Sequence, residues 1–301
     1  ANNSSVTFDR SSISASALVD CNNNGKNFAA GLGGNSTSGS VNLVGHLNSR
    51  GIDMVRLEQT VRTAINMLDN VIDINFYPTP EAKNSNIRHR PIGLGIMGFQ
   101  DCLYQLGISY CCQEAIEFAD ESMEQVAYAA YSASSDLAAK KGAYPSFKGS
   151  KWDRGLLPLD TLELLEEERG EKLTVTRTSK LNWGILREKI SKSGLRNSNV
   201  LAIAPTATIA NIIGVTSSIE PTYRNLFVKS NMSGDFVSIN PYLVEELRRL
   251  NLWNQLMVDD LKYFDGSVQS IERIPLEVRE RYRTAFEIEP RWLIESASRR
   301  Q

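Results

Sequence analysis

Five apolar residues in a row, Val200-Leu201-Ala202-Ile203-Ala204, stand between the polar run Arg196-Asn197-Ser198-Asn199 and Pro205. A run this short and apolar at every position fits a strand buried on both faces, the kind that occurs inside α/β sheets flanked by helices. Pro205 ends the strand, and Pro205-Thr206-Ala207-Thr208-Ile209 begins a short helical turn at its carboxyl end. In α/β folds ligands gather at the carboxyl ends of strands, and a helix that starts there presents unpaired N–H groups and the positive end of its dipole. Small side chains let an anion approach the backbone, and the hydroxyls of Thr206 and Thr208 can donate as well. That chemistry suits a phosphate. The plainer reading is that Thr206 or Thr208 only caps a helix.

Helical patterns fill most of the remaining chain. From Asp53 to Ile72, Leu57, Val61, Ala64, Ile65, Leu68, Val71 and Ile72 recur at steps of three and four, and Pro78 and Pro80 are then expected to give an extended connector. Further helices are predicted over Ile92 to Leu106, Gln113 to Lys141 (closed by Gly142), the charged stretch through Glu166-Glu167-Glu168-Arg169, and Trp183 to Ser193 (closed by Gly194). Arg224 to Ser230 and Asp235 to Ile239 read as two strands joined at Ser233-Gly234, and the last sixty residues as helices. The final helix, begun near Pro290, runs to Gln301 without a stop signal, as in a chain cut short. Asn, Ser and Gly supply 21 of the first forty residues, so residues 1–40 are expected to form a poorly ordered lead and 41–301 the folded unit.

Charge and composition exclude several functions. Thirty-three basic side chains against 35 acidic ones leave a net charge of −2, without the basic face a DNA binder needs. No apolar window is long enough for a membrane span, and Ala1-Asn2-Asn3-Ser4-Ser5 is not a secretion signal, so the expected location is cytoplasmic. With only His46 and His89, four cysteines and no Cys-x-x-Cys, no metal site is expected. Gly93-Leu94-Gly95-Ile96-Met97-Gly98 matches the dinucleotide fingerprint letter for letter, but Arg88-His89-Arg90-Pro91 is a poor approach strand. Glycines that let a helix lie close to its neighbours are the simpler account. Cys102, Cys111 and Cys112 lie in helical, apolar surroundings as inert thiols, whereas Cys21 stands in an Asn/Gly-rich stretch open to exchange.

Four separated runs carry a resemblance: Arg88-His89-Arg90-Pro91-Ile92-Gly93-Leu94-Gly95, Gly194-Leu195-Arg196-Asn197-Ser198, Ala204-Pro205-Thr206-Ala207-Thr208 and Ser218-Ile219-Glu220-Pro221. In this order they resemble the large (alpha) subunit of class I ribonucleotide reductase, from Gly39 to Gln301. The resemblance implies the C-terminal half of a ten-stranded α/β barrel. It also implies an oxidoreductase that converts ribonucleoside diphosphates to deoxyribonucleoside diphosphates by radical chemistry, the supply reaction for DNA replication. The segment matching Pro205, Thr206, Ala207, Thr208 and Ile209 cradles the substrate diphosphate in that family.

The family's Asn-x-Cys-x-Glu motif, whose Cys carries the radical, does not occur here, so no catalytic residue of that set is expected in this chain. One member of the family's reducing dithiol precedes the stretch Gly39-Ser40-Val41-Asn42-Leu43. An ungapped alignment places Ser36 there, while an insertion places Cys21, which is favoured because its exposure suits exchange. The partners implied are a ribonucleoside diphosphate, the amino-terminal half of the large subunit, the small (beta) subunit that generates the radical with its own cofactor, and thioredoxin or glutaredoxin as dithiol reductant. This chain is expected to bind no cofactor itself and to be inactive alone. The alternative is a non-catalytic α/β phosphate-binding or interaction module derived from the same fold.

Overall fold

The structure is a computed structural model and describes residues 16–19, 28–33, 36–48, 51–231 and 234–300. In chain order the elements begin with β1 (Ser16–Val19), β2 (Phe28–Gly33), β3 (Ser36–Asn42), β4 (Leu47–Asn48) and β5 (Gly51–Ile52). There follow α1 (Met54–Ile74), α2 (Pro80–His89), β6 (Ile92–Met97), α3 (Phe99–Leu106), α4 (Gln113–Lys141), α5 (Asp160–Arg169), α6 (Trp183–Ser193) and α7 (Ala207–Ile213). A hairpin of β7 (Leu226–Asn231) and β8 (Gly234–Ile239) leads to α8 (Pro241–Arg249), α9 (Gln255–Tyr263), α10 (Leu276–Arg281) and α11 (Pro290–Arg300).

The main sheet has the order β1-β2-β3-β6, antiparallel from β1 to β3 and parallel between β3 and β6. The Asn/Ser/Gly-rich lead, expected to be poorly ordered, thus holds strands at 16–19 and 28–33 and most of β3. The free edge of β6 takes up the apolar run at 200 in parallel, through Ile92 N–H to the Asn199 carbonyl (3.0 Å), Leu94 N–H to the Val200 carbonyl (2.9 Å) and Ala202 N–H to the Leu94 carbonyl (3.1 Å). Val200 is buried, but Ala202 and Ile203 are exposed, so the run is not covered on both faces. Among the described residues β6 is the only strand it pairs with.

β6 departs from the helix predicted from Ile92. All six of its residues are buried. A short run of glycine and apolar residues has no periodicity to separate a strand from a covered helix, and the left-handed Arg90 (φ 47°) closes α2 just before it. The glycines are needed against a strand and not a helix. A Cβ on Gly93 would lie 2.7 Å from Ala202 Cβ, and one on Gly95 would lie 2.5 Å from the Ala202 carbonyl oxygen. Because Gly93 and Gly95 sit within the strand, they do not form the strand-to-helix turn that dinucleotide binding requires. Nor does Pro80 extend the chain: it opens α2 at the first turn, where a missing N–H costs nothing, under the Thr79 side-chain cap on Ala82 N–H.

The predicted helices at α1, α4 and α6 form for the reasons their patterns gave. Asp53 caps α1 through Arg56 N–H, and Leu57, Val61, Ala64, Ile65, Leu68 and Ile72 all enter the core. α1 lies against β3 and β6, and α4 packs on α1, α6 and α11. A second core gathers α8, α9 and α10 around Leu243, Leu247, Met257, Leu261 and Tyr282, with Tyr104 of α3 stacked on Tyr282 at 4.8 Å.

Candidate phosphate site at the strand ends

β3, β6 and the strand at 200 end on the same side, next to Gly98 and Pro205. Gly98 turns β6 into α3 at φ 76°, and a Cβ there would meet Val44 Cγ2 at 2.9 Å and Asn42 Oδ1 at 3.2 Å, so glycine is required twice over. Beside it α7 opens at Thr206, which is left-handed at φ 52°, an unusual state for a β-branched residue. The first bond within α7 runs from Ala210 N–H to the Thr206 carbonyl (2.9 Å). The N–H groups of Ala207, Thr208 and Ile209 precede it and face out of the helix start.

The five predicted residues separate into two groups. Pro205, Ala207 and Thr208 are exposed, and Ile209 is half-buried against the small core of Met97, Ala210 and Ile213. Thr206 turns inward: its side chain is buried and Oγ1 accepts a 2.7 Å bond from Ser218 N–H. It therefore neither caps α7 nor presents its hydroxyl to solvent beside Thr208. Ser218 is itself left-handed (φ 49°), and its carbonyl accepts from Phe99 N–H at 3.5 Å. Sequence patterning does not reveal Asp101 in the first turn of α3. Its Oδ2 accepts from both Thr216 N–H (2.6 Å) and Thr216 Oγ1–H (2.7 Å), and the Thr216 carbonyl accepts from Gly98 N–H (2.9 Å). Burial pushes the Asp101 carboxyl up, against the opposing pull of the two Thr216 bonds.

A second buried network holds the framework. Arg90 Nε donates to Asp69 Oδ1 (2.9 Å), its guanidinium also meets Asp73 (2.7 Å), and Asn197 Nδ2 donates to Asp69 Oδ1 (3.0 Å) and to the Arg90 carbonyl (3.1 Å). Two of the four sequence runs, those containing Arg90 and Asn197, thus meet at Asp69, while the other two meet at Thr206 and Ser218. The first pair anchors β6 and the strand at 200 to α1, and the second shapes the loop.

Cys21 lies outside the described residues. Ser36 begins β3 opposite Gly33. Burial pushes the thiols of Cys102 and Cys111 up, Cys102 well above its usual value, which makes neither a ready nucleophile. His46 is buried, with Nδ1 2.8 Å from the Asn42 carbonyl and Nε2 2.9 Å from Thr60 Oγ1, and His89 Nδ1 lies 2.6 Å from Ser146 Oγ. Among the described residues no group of three or more His, Cys, Asp or Glu side chains could hold a metal ion. No helix among them is long and apolar enough to cross a membrane.

Parallel strands flanked by helices, with a helix opening at their carboxyl ends, define an α/β domain. The chain matches the ribonucleotide reductase barrel domain over residues 37–301, and it belongs to that family. It is 60% identical over 264 residues to the ribonucleoside-diphosphate reductase subunit alpha of Chlamydia pneumoniae, a match covering 87% of this chain and 25% of that protein. It is 38% identical over 248 residues to the large subunit of Caenorhabditis elegans (82% and 30%) and 36% over 266 residues to that of Trypanosoma brucei brucei (87% and 31%). The chain thus spans about a quarter to a third of the length of these relatives. Its fold is a partial α/β barrel of the ribonucleotide reductase type.

Proposed function

We propose that this chain forms the diphosphate-binding part of a ribonucleoside-diphosphate reductase large subunit. The observation that carries the reading is the turn at 205–209: three outward N–H groups at a strand end, flanked by the small exposed side chains of Ala207 and Thr208. There the amides of Ala207, Thr208 and Ile209 take the diphosphate oxygens, the Thr208 hydroxyl adds a donor, and Thr206 holds the turn from inside. A diphosphate fixed in this way sets the depth and direction of the ribose it carries.

The reduction draws on groups from elsewhere. The radical cysteine with its Asn and Glu comes from the amino-terminal half of the large subunit. The small subunit supplies the radical, and a dithiol renewed by thioredoxin or glutaredoxin supplies two electrons as the 2′-hydroxyl leaves as water. Cys21 is proposed as one of those thiols. The working unit begins within the lead, at β3, whose pairing with β6 ties it to the rest of the chain, and it acts in the cytoplasm. In calorimetry, replacing the exposed Thr208 by Trp weakens cytidine diphosphate binding by about tenfold or more, the loss of about one charged hydrogen bond. Unchanged affinity in a folded variant refutes the loop assignment. A Chlamydia pneumoniae subunit whose matching segment is replaced by residues 37–301 of this chain, with the small subunit and a dithiol present, is expected to retain deoxycytidine diphosphate formation. Binding without turnover in that chimera favours a non-catalytic module.

A further inference from the structure

Thr206 and Ser218 both occupy the left-handed region, at φ 52° and 49°. Non-glycine residues stay there only where their surroundings hold them. The Thr206 side chain is bonded to Ser218 N–H, and the segment from 216 to 218 is tied down by Gly98 N–H and Phe99 N–H and by the two bonds that Thr216 gives to Asp101. Asp101 is buried, at 6% exposure, and no salt bridge engages it among the described residues. Thr216 offers an N–H and an O–H to a single oxygen, Oδ2, and a carboxylate accepts both at once.

We propose that Asp101 is a positioning residue for the diphosphate loop, a role that rests on the reading of residues 205–209 given above. It fixes Thr216, the 216–218 segment then presents Ser218 N–H, and that donor locks Thr206 in the conformation that turns the amides of Ala207, Thr208 and Ile209 outward. Asp101 itself touches no ligand. Nothing in its local sequence announces the role, because its partner lies 115 positions further along the chain.

The test is a double-mutant cycle on the full 301-residue chain, with inorganic pyrophosphate as the calorimetric probe and circular dichroism as the check on folding. Asp101→Asn and Thr206→Val are each expected to weaken pyrophosphate binding by about tenfold, and the double variant by about the same factor instead of about a hundredfold. Thr216→Ser, which keeps the hydroxyl, should bind as the parent does, and Thr216→Val should lose affinity. Thr216→Val also serves if Asp101→Asn does not fold. Multiplying losses in the double variant, or no loss in either Asp101→Asn or Thr216→Val, overturn the proposal. A readout without ligand separates it from the loop reading: amide exchange at Ser218 should quicken by about tenfold or more when the Asp101 bonds go. Unchanged Ser218 protection overturns the positioning role, whereas a parent chain that takes up no pyrophosphate overturns the loop reading.

Discussion

The close approach of β6 to the strand at 200 makes Gly95→Ala a decisive perturbation. The added methyl would sit 2.5 Å from the Ala202 carbonyl oxygen, 3.3 Å from Ser40 Oγ and 3.4 Å from Ile203 Cα. Two of these are backbone atoms and cannot rotate away, so the strand at 200 must shift. The hydrogen bonds from Leu94 N–H (2.9 Å) and Ala202 N–H (3.1 Å) flank the contact and lengthen with that shift. Overpacking costs about 1–3 kcal/mol, the weakened bonds add about 1 kcal/mol, and alanine in a strand recovers about 0.5–1 kcal/mol over glycine. The balance is a loss of about 2 kcal/mol, to be read as a lower urea midpoint at unchanged slope. Gly93→Ala gives a contrast, because its clash is with the Ala202 side chain at 2.7 Å. Ala202→Gly should restore most of the stability lost by Gly93→Ala and none of that lost by Gly95→Ala. Parental stability in Gly95→Ala, or equal rescue of both variants, refutes the packing account.

Three further outcomes are expected. Asp69→Ala leaves the buried Arg90 and Asn197 short of their shared acceptor and should cost about 3–5 kcal/mol, whereas Asp73→Asn, at a half-exposed partner, should cost about 1 kcal/mol or less; urea midpoints of the two variants check the order. Burial lowers the pKa of His46 below 6.5, so the unfolded chain binds a proton there that the folded chain refuses. Stability should therefore fall as the pH drops below about 6.5, by up to about 1.4 kcal/mol per unit, and a His46→Gln chain measured between pH 5.5 and 7.5 should show a flatter dependence. The exposed Ala202 and Ile203 beside the sheet edge should make the isolated chain self-associate, and a monodisperse monomer across concentrations in sedimentation velocity contradicts this.

Much of the helical framework was legible because its signals are local. The three- and four-residue spacing from Leu57 to Ile72, Gly142 after α4 and Gly194 after α6 act within a turn or two of the residues concerned. β6 was not, since Ile92 to Met97 offers only apolar residues and glycine, and what makes it a strand is β3 on one edge and residues 199–202 on the other. The lead shows the same limit: its Gly and Ser residues look unpatterned until β3 supplies a partner for β2. At the site, the turn at 205–209 was visible from the apolar run that ends in Pro205. The inward turn of Thr206 was not, because Ser218 holds it from twelve residues away and Asp101 holds that segment from across the sequence. Likewise, Arg90 and Asn197 stood out as motif residues, yet only the fold shows that they meet at Asp69 and serve the framework.

The central claim is that the amides of Ala207, Thr208 and Ile209 receive a nucleoside diphosphate. The most direct measurement is the backbone amide NMR spectrum of the isotope-labelled chain, titrated with cytidine diphosphate and, separately, with cytidine. The account predicts that these three amides shift furthest with the diphosphate, saturating together, and stay in place with the nucleoside. Shifts that appear equally with cytidine, or that fall elsewhere while residues 207–209 remain unmoved, contradict it.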